Sequence, residues 1–114
     1  MGNIGGNIFG DVQVNTPIKN PIGETVKEWK TEFTIRGWLG LQSGGSNYQN
    51  HLAKIEESTH VFLCDYHEGV YGLGDKDVRM IVRGYVYDVL LIDNPDELDE
   101  QLEIYLRRVG AWNG

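Results

Sequence analysis

The chain is short of cysteine, of proline, of positive charge and of long apolar runs, and each shortage excludes something. One cysteine in 114 residues, Cys64, allows no intramolecular disulfide and fits a reducing compartment. No segment approaches the roughly 20 apolar residues that a membrane-spanning helix needs. The opening residues, Met1 to Gly10, have neither a basic stretch nor an apolar core, so no secretory signal is expected. These features predict a soluble, cytoplasmic chain with no membrane partner. Ten Lys and Arg stand against 17 Asp and Glu, for a net charge of −7 and a pI near 4.8. That balance supplies no obvious basic face for counterion-release binding to nucleic acid. The plain role of such a surface is solubility; it also repels phosphates.

What is present is an ordinary folding composition. Hydrophobic residues make up 40%, with three Trp, six Tyr and three Phe, which argues against global disorder. A chain of this size is one domain and buries roughly 65% of its unfolded surface, enough for a core without staples. Its expected organisation is a flexible arm over 1–10, a single domain over 11–110 and a tail over 111–114.

The arm is rich in Gly and Asn and lacks periodicity. Phe9, Val12, Val14 and Ile18 suggest an irregular first strand, and Pro17 within it favours an edge position. Asn20-Pro-Ile-Gly23 is turn chemistry. Thr25 to Leu41 is the longest β-like run, with Trp29, Phe33 and Ile35 interleaved with Lys27, Lys30 and Glu32. Gly37 and Gly40 predict bulges or bends. Gln42 to Asn47 reads as a flexible loop. Tyr48, Leu52 and Ile55, spaced i, i+4 and i+7, predict the one short helix, over Asn47 to Ser58.

Strand character returns at Thr59 to Tyr66, and Gly69, Gly72 and Gly74 then break the chain. Asp77 to Asp93 reads as two strands joined at Arg83-Gly84. After an acidic connector with Asn94 as N-cap, Leu102, Ile104 and Leu106 alternate with Glu103, Tyr105 and Arg107 along a closing strand. The fold class is therefore mainly β: a small antiparallel β-barrel with long loops and one short helix. Trp29, Phe33, Ile81, Val89, Ile104 and Leu106 are the expected core.

No catalytic or metal-binding set assembles from this order. The carboxylates between Asp93 and Glu100 lack the turn glycine of a calcium loop. His60 and Cys64 share a strand face, but His67 is at odd spacing and no second ligand pair exists, so neither zinc nor a thiol nucleophile is supported. The run Gly69 to Gly74 lacks the Gly-Lys-Ser/Thr ending of a phosphate loop. Tyr85, Tyr87 and Tyr105 could stack bases, but few basic residues accompany them. No enzyme activity and no cofactor are expected.

The order of these segments carries a resemblance. Trp29, then Thr31-Glu-Phe-Thr-Ile-Arg-Gly-Trp38, a Gly/Ser-rich loop, the Asp77-Val-Arg-Met-Ile-Val-Arg-Gly-Tyr-Val-Tyr-Asp-Val pair, and Asn94-Pro95 before Leu102-Glu-Ile-Tyr-Leu-Arg107 together resemble the head closure proteins of long-tailed bacteriophages and prophages, also called head–tail joining or stopper proteins. The resemblance covers about Asp11 to Gly110. The glycine-rich start and the acidic connector depart from the family pattern.

The resemblance implies a virion protein, made in the host cytoplasm, that is a monomer in isolation and adds as a homo-oligomeric ring below the portal and adaptor. Such a ring retains packaged double-stranded DNA, which passes through without specific binding, and offers the tail proteins a docking surface. Its implied channel loop is Gln42, Ser43, Gly44, Gly45, Ser46 and Asn47, small residues that extend at little steric cost. Ile4, Ile8, Phe9 and Trp112 are the candidates for subunit or connector contacts. Two other readings compete. A tail completion or terminator protein of the same virion would be α/β with a four-stranded sheet and two helices. A single-strand nucleic-acid-binding barrel would bind with steep salt dependence.

Overall fold

A computed structural model describes residues 4–41 and 57–114. Six antiparallel strands account for most of them: β1 (Ile8–Lys19), β2 (Thr25–Leu41), β3 (His60–Asp65), β4 (Val78–Val82), β5 (Tyr85–Asp93) and β6 (Gln101–Ala111). They pair in the order β1-β2-β3-β6-β5-β4, and β4 returns to β1, so the sheet closes into a barrel. Closure leaves no free edge over the stretch where every strand is paired on both sides. The expected antiparallel barrel is the observed one.

The described α-helix, α1 (Glu68–Tyr71), is a single turn between β3 and β4. It occupies the glycine-broken stretch that the sequence marks as a turn, while the helix expected over 47–58 lies almost wholly outside the described residues. His67 caps α1, its Nδ1 accepting from the Val70 amide at 3.2 Å. Gly69 packs flat on Phe33, and a Cβ there would strike that ring.

The barrel interior follows the alternation of the strands. Phe62, Met80, Tyr87, Leu102, Ile104 and Leu106 are sealed from solvent. Each such burial stabilises by roughly 1.5–3 kcal/mol relative to exposure. Of the expected core, Ile104 and Leu106 are central, Ile81 is buried, and Phe33 and Val89 pack at its margin. Trp29 does not join them. It lies beyond the closed part of the barrel, for reasons given below.

Glycine has a different role from the one expected in β2. The β1–β2 register slips between Val12 and Gln13, so Glu32 is the extra residue and neither Gly37 nor Gly40 is the bulge. Gly37 is instead a crossing point. A Cβ there would collide with the Leu63 carbonyl and come within 2.8 Å of the Phe62 ring.

Arg83 and Gly84 form the two-residue turn between β4 and β5, with φ of 50° and 81°. Both angles positive is the turn whose twist matches the flanking strands. The β5–β6 connector begins with a 3-10 turn, Pro95–Glu97. Asn94 precedes it but does not cap it. Its side chain bridges to Asp99 instead, donating to Oδ1 at 2.8 Å and accepting from the Asp99 amide at 3.1 Å.

Candidate functional site

The first element a partner would meet is a projecting hairpin. β1 pairs with β4 only from Gly10 to Val14, and β2 pairs with β3 only from Gly37 to Leu41. Yet β1 and β2 stay paired with each other out to Lys19 and Thr25. The surplus is a two-stranded ribbon that leaves the barrel and helps stretch the molecule to 50 × 29 × 26 Å. Pro17 sits in this ribbon, where β1 has β2 on one side and no described strand on the other. That is the edge location its missing N–H requires.

The ribbon ends in a rigid tip. The Asn20 side-chain carbonyl accepts from the backbone amides of Ile22 at 3.2 Å and Glu24 at 2.9 Å, and the Asn20 backbone amide donates to the Glu24 carbonyl at 2.9 Å. Gly23 takes φ of 88°, a conformation that disfavours a side chain. The result holds Ile22 outward, 78% exposed.

A clamp fixes the root of the ribbon. Arg79 of β4 places its guanidinium 4.4 Å over the Trp29 ring and 5.4 Å from that of Trp112. Its Nε donates to Gln13 Oε1 at 2.7 Å, and Gln13 Nε2 donates onward to Thr31 Oγ1 at 3.1 Å. Burial among these groups lowers the Arg79 pKa, while the Asp88 carboxylate opposes that shift. Trp29 and Trp112 are thus spent on a surface stack that sets the direction of the hairpin. Periodicity alone gave no sign of it, since Trp29 falls in a run that reads equally as core.

The other expected contact residues fall into two groups. Ile8 turns toward the core of its own barrel. Phe9, one residue on, is 63% exposed on the outer wall, opposite Arg36 and near Trp38, which is 46% exposed. Ile4 lies against this wall. Its amide donates to an Asp65 carboxylate oxygen, and its carbonyl accepts from Trp38 Nε1 at 3.1 Å. Gly5 and Gly6, both with positive φ, turn the chain here, and Gly6 crosses the Gly37 backbone too closely to admit a Cβ. Residues 42–47, the implied channel loop, lie outside the described residues.

The groups weighed for chemistry are placed for structure. Cys64 is buried, and burial, aided by the Asp65 charge, pushes its thiol up to about 12. His60 meets the Tyr87 ring edge-on, with centroids 5.1 Å apart, and has Nδ1 on Thr59 Oγ1 at 2.8 Å; burial and then the Arg108 charge lower its pKa. His67 serves α1. Among the described residues no three His, Cys, Asp or Glu side chains form a metal-holding group. Tyr87 points into the core with its hydroxyl accepting from Arg108 Nη2 at 2.7 Å, Tyr85 lies outside under the same guanidinium at 3.9 Å, and Tyr105 donates to Glu103. The three tyrosines therefore do not make one stacking platform. Among the described residues no helix is long and apolar enough to cross a membrane.

A closed barrel, a stiff apolar-tipped hairpin and an exposed aromatic wall are features of a part that binds other parts. No curated protein matches the chain. A family model described as phage head completion protein matches residues 10–109, from β1 through nearly all of β6. The chain therefore belongs to the phage head completion protein family, which gives it a structural role in the virion.

Proposed function

We propose that the protein completes the head by forming a homo-oligomeric ring below the portal and adaptor, where it helps retain packaged DNA and gives the tail its docking surface. The observation that carries this reading is the hairpin. It extends a rigid tip with exposed Ile22 well clear of the barrel, as a subunit needs in order to engage a component above or below it. The Phe9 and Trp38 wall supplies a second apolar surface for a neighbour in the ring. Ile4, Ile8 and Trp112 stay in the proposal as residues that buttress these surfaces. The loop Gln42 to Asn47 is the proposed channel-facing segment, on the ground of its small residues. A net charge of −7 suits a conduit past which DNA moves without binding.

The closed six-stranded barrel weighs against a tail terminator, for which a four-stranded sheet with two helices is expected. The scattered tyrosines weigh against a single-strand nucleic-acid binder. The test is cryo-electron microscopy of virions or connector complexes. A ring of this chain between portal and tail is the expected result. A position at the far end of the tail, or absence from the particle, overturns the proposal.

A further inference from the structure

Two apolar surfaces of this chain are held in place and left uncovered. At the hairpin tip, Ile22 is exposed on a turn that Asn20 and Gly23 fix. On the outer wall Phe9 and Trp38 are exposed, and they are diagonal neighbours, since Phe9 stands opposite Arg36. Leu63, opposite Trp38 on β3, is half-buried and extends the patch. The Trp38 indole is pinned by its bond to the Ile4 carbonyl. Neither surface has to be ordered at the moment of contact, which removes a main cost of docking.

Each surface also carries one charge of each sign. At the tip Lys19 and Glu24 flank Ile22, the first reaching the Gly23 carbonyl and the second accepting from the Asn20 side chain. On the wall Arg36 lies across the ladder from Phe9, and Asp11 lies two residues along β1. Among the described residues none of these four charges has an ion-pair partner.

We propose that in the assembled ring the tip of each copy seats on the wall of the next, with Ile22 against Phe9 and Trp38, Glu24 against Arg36, and Lys19 against Asp11. The contact rests on the ring reading, and the component that the tip engages is then the adjacent copy. The ribbon carries Ile22 beyond β3 and β4 of its own barrel, clear to reach a neighbour. There the tip meets the outer face of the wall and not the edge of β2, beside which the chain after β3 runs at Tyr66 and His67. Two different patches meet, so the contact repeats from copy to copy and closes as a ring. One buried isoleucine and two surface ion pairs fall short of the cost of immobilising a free subunit. The free chain therefore stays monomeric, as the resemblance implies. The portal holds adjacent copies side by side, and at that effective concentration the same contact suffices.

The test is disulfide mapping in connector complexes from particles of the parent phage. Ile22→Cys combined with Phe9→Cys in one chain is expected to give, on mild oxidation, a ladder of covalent multimers that ends at the closed ring. Either cysteine alone gives no ladder, and Cys64 is buried and takes no part. The charges give a second readout. Glu24→Arg and Arg36→Glu should each lower the yield of infectious particles by about tenfold, because reversal opposes like charges at every contact, and the double variant should restore it. This readout decides if the cysteine variant does not assemble. A ring between portal and tail with no ladder and no rescue overturns the contact and leaves the ring reading standing. A ladder that stops at a pair also overturns it. Absence of the chain between portal and tail removes the ring reading, and the contact with it.

Discussion

The guanidinium of Arg79 lies 4.4 Å over the ring of Trp29, and this contact joins the barrel wall to the root of the hairpin. The stack is half shielded from water, so it stabilises more than an exposed cation–π pair, by about 1–2 kcal/mol. Arg79→Ala and Trp29→Ala should each lower stability by about that amount. A double-mutant cycle by urea denaturation should show coupling of about 1 kcal/mol. Arg79→Lys should recover only part of it, because an ammonium cannot both lie flat on the ring and reach Gln13.

Two glycines three positions apart on β2, Gly37 and Gly40, should respond in opposite ways to alanine. Gly37→Ala forces a methyl into the Leu63 carbonyl and the Phe62 ring, whereas Gly40→Ala meets only Val61 Cγ1 at 3.9 Å. The first should cost about 2–3 kcal/mol, by the measure of overpacked cores. The second should be neutral or slightly stabilising, since it restricts the unfolded chain. Thermal melts of the two variants side by side give the comparison.

His60 makes stability depend on pH in a definite direction. Its folded pKa is lowered from 6.5, mainly by burial and then by Arg108. The unfolded chain therefore takes up a proton first on acidification, and the stability present above pH 6.5 is lost as pH falls below it. His60→Gln should flatten this fall between pH 7 and 5. Urea midpoints measured across that window report it.

Cys64 should be inert in the folded protein. A thiol pushed up to about 12 inside the barrel is neither ionised nor reachable at pH 8. Labelling with an aromatic disulfide reagent should proceed only through unfolding, and the destabilised Gly37→Ala variant should react faster in proportion.

Ile22 should matter for assembly and not for folding. It is 78% exposed, so Ile22→Asp should change stability by less than about 0.5 kcal/mol. In a complementation assay the same variant should fail to yield DNA-filled, tailed particles. A wild-type yield of infectious particles would remove the tip from the docking surface.

Much of the fold was legible because strand alternation is a local signal. Leu102, Ile104 and Leu106 face inward as their period of two requires, and Arg83-Gly84 makes the turn that its dipeptide chemistry suggests. The candidate docking residues were legible only as exposed-looking apolar residues. Ile8 and Phe9 are neighbours in sequence, yet one turns to the core and the other to solvent. Which is which follows from the face that barrel closure buries.

Local preference determined the strands and the acidic surface, since each depends on residue type and short-range period. Only the tertiary structure decided that β1 and β2 outrun their neighbours. Projection depends on where β3 and β4 stop pairing, a relation between residues as far apart as Gly10 and Val82 that no local window contains. The same long-range pairing took Trp29 out of the core and set it beneath Arg79, where it holds the hairpin.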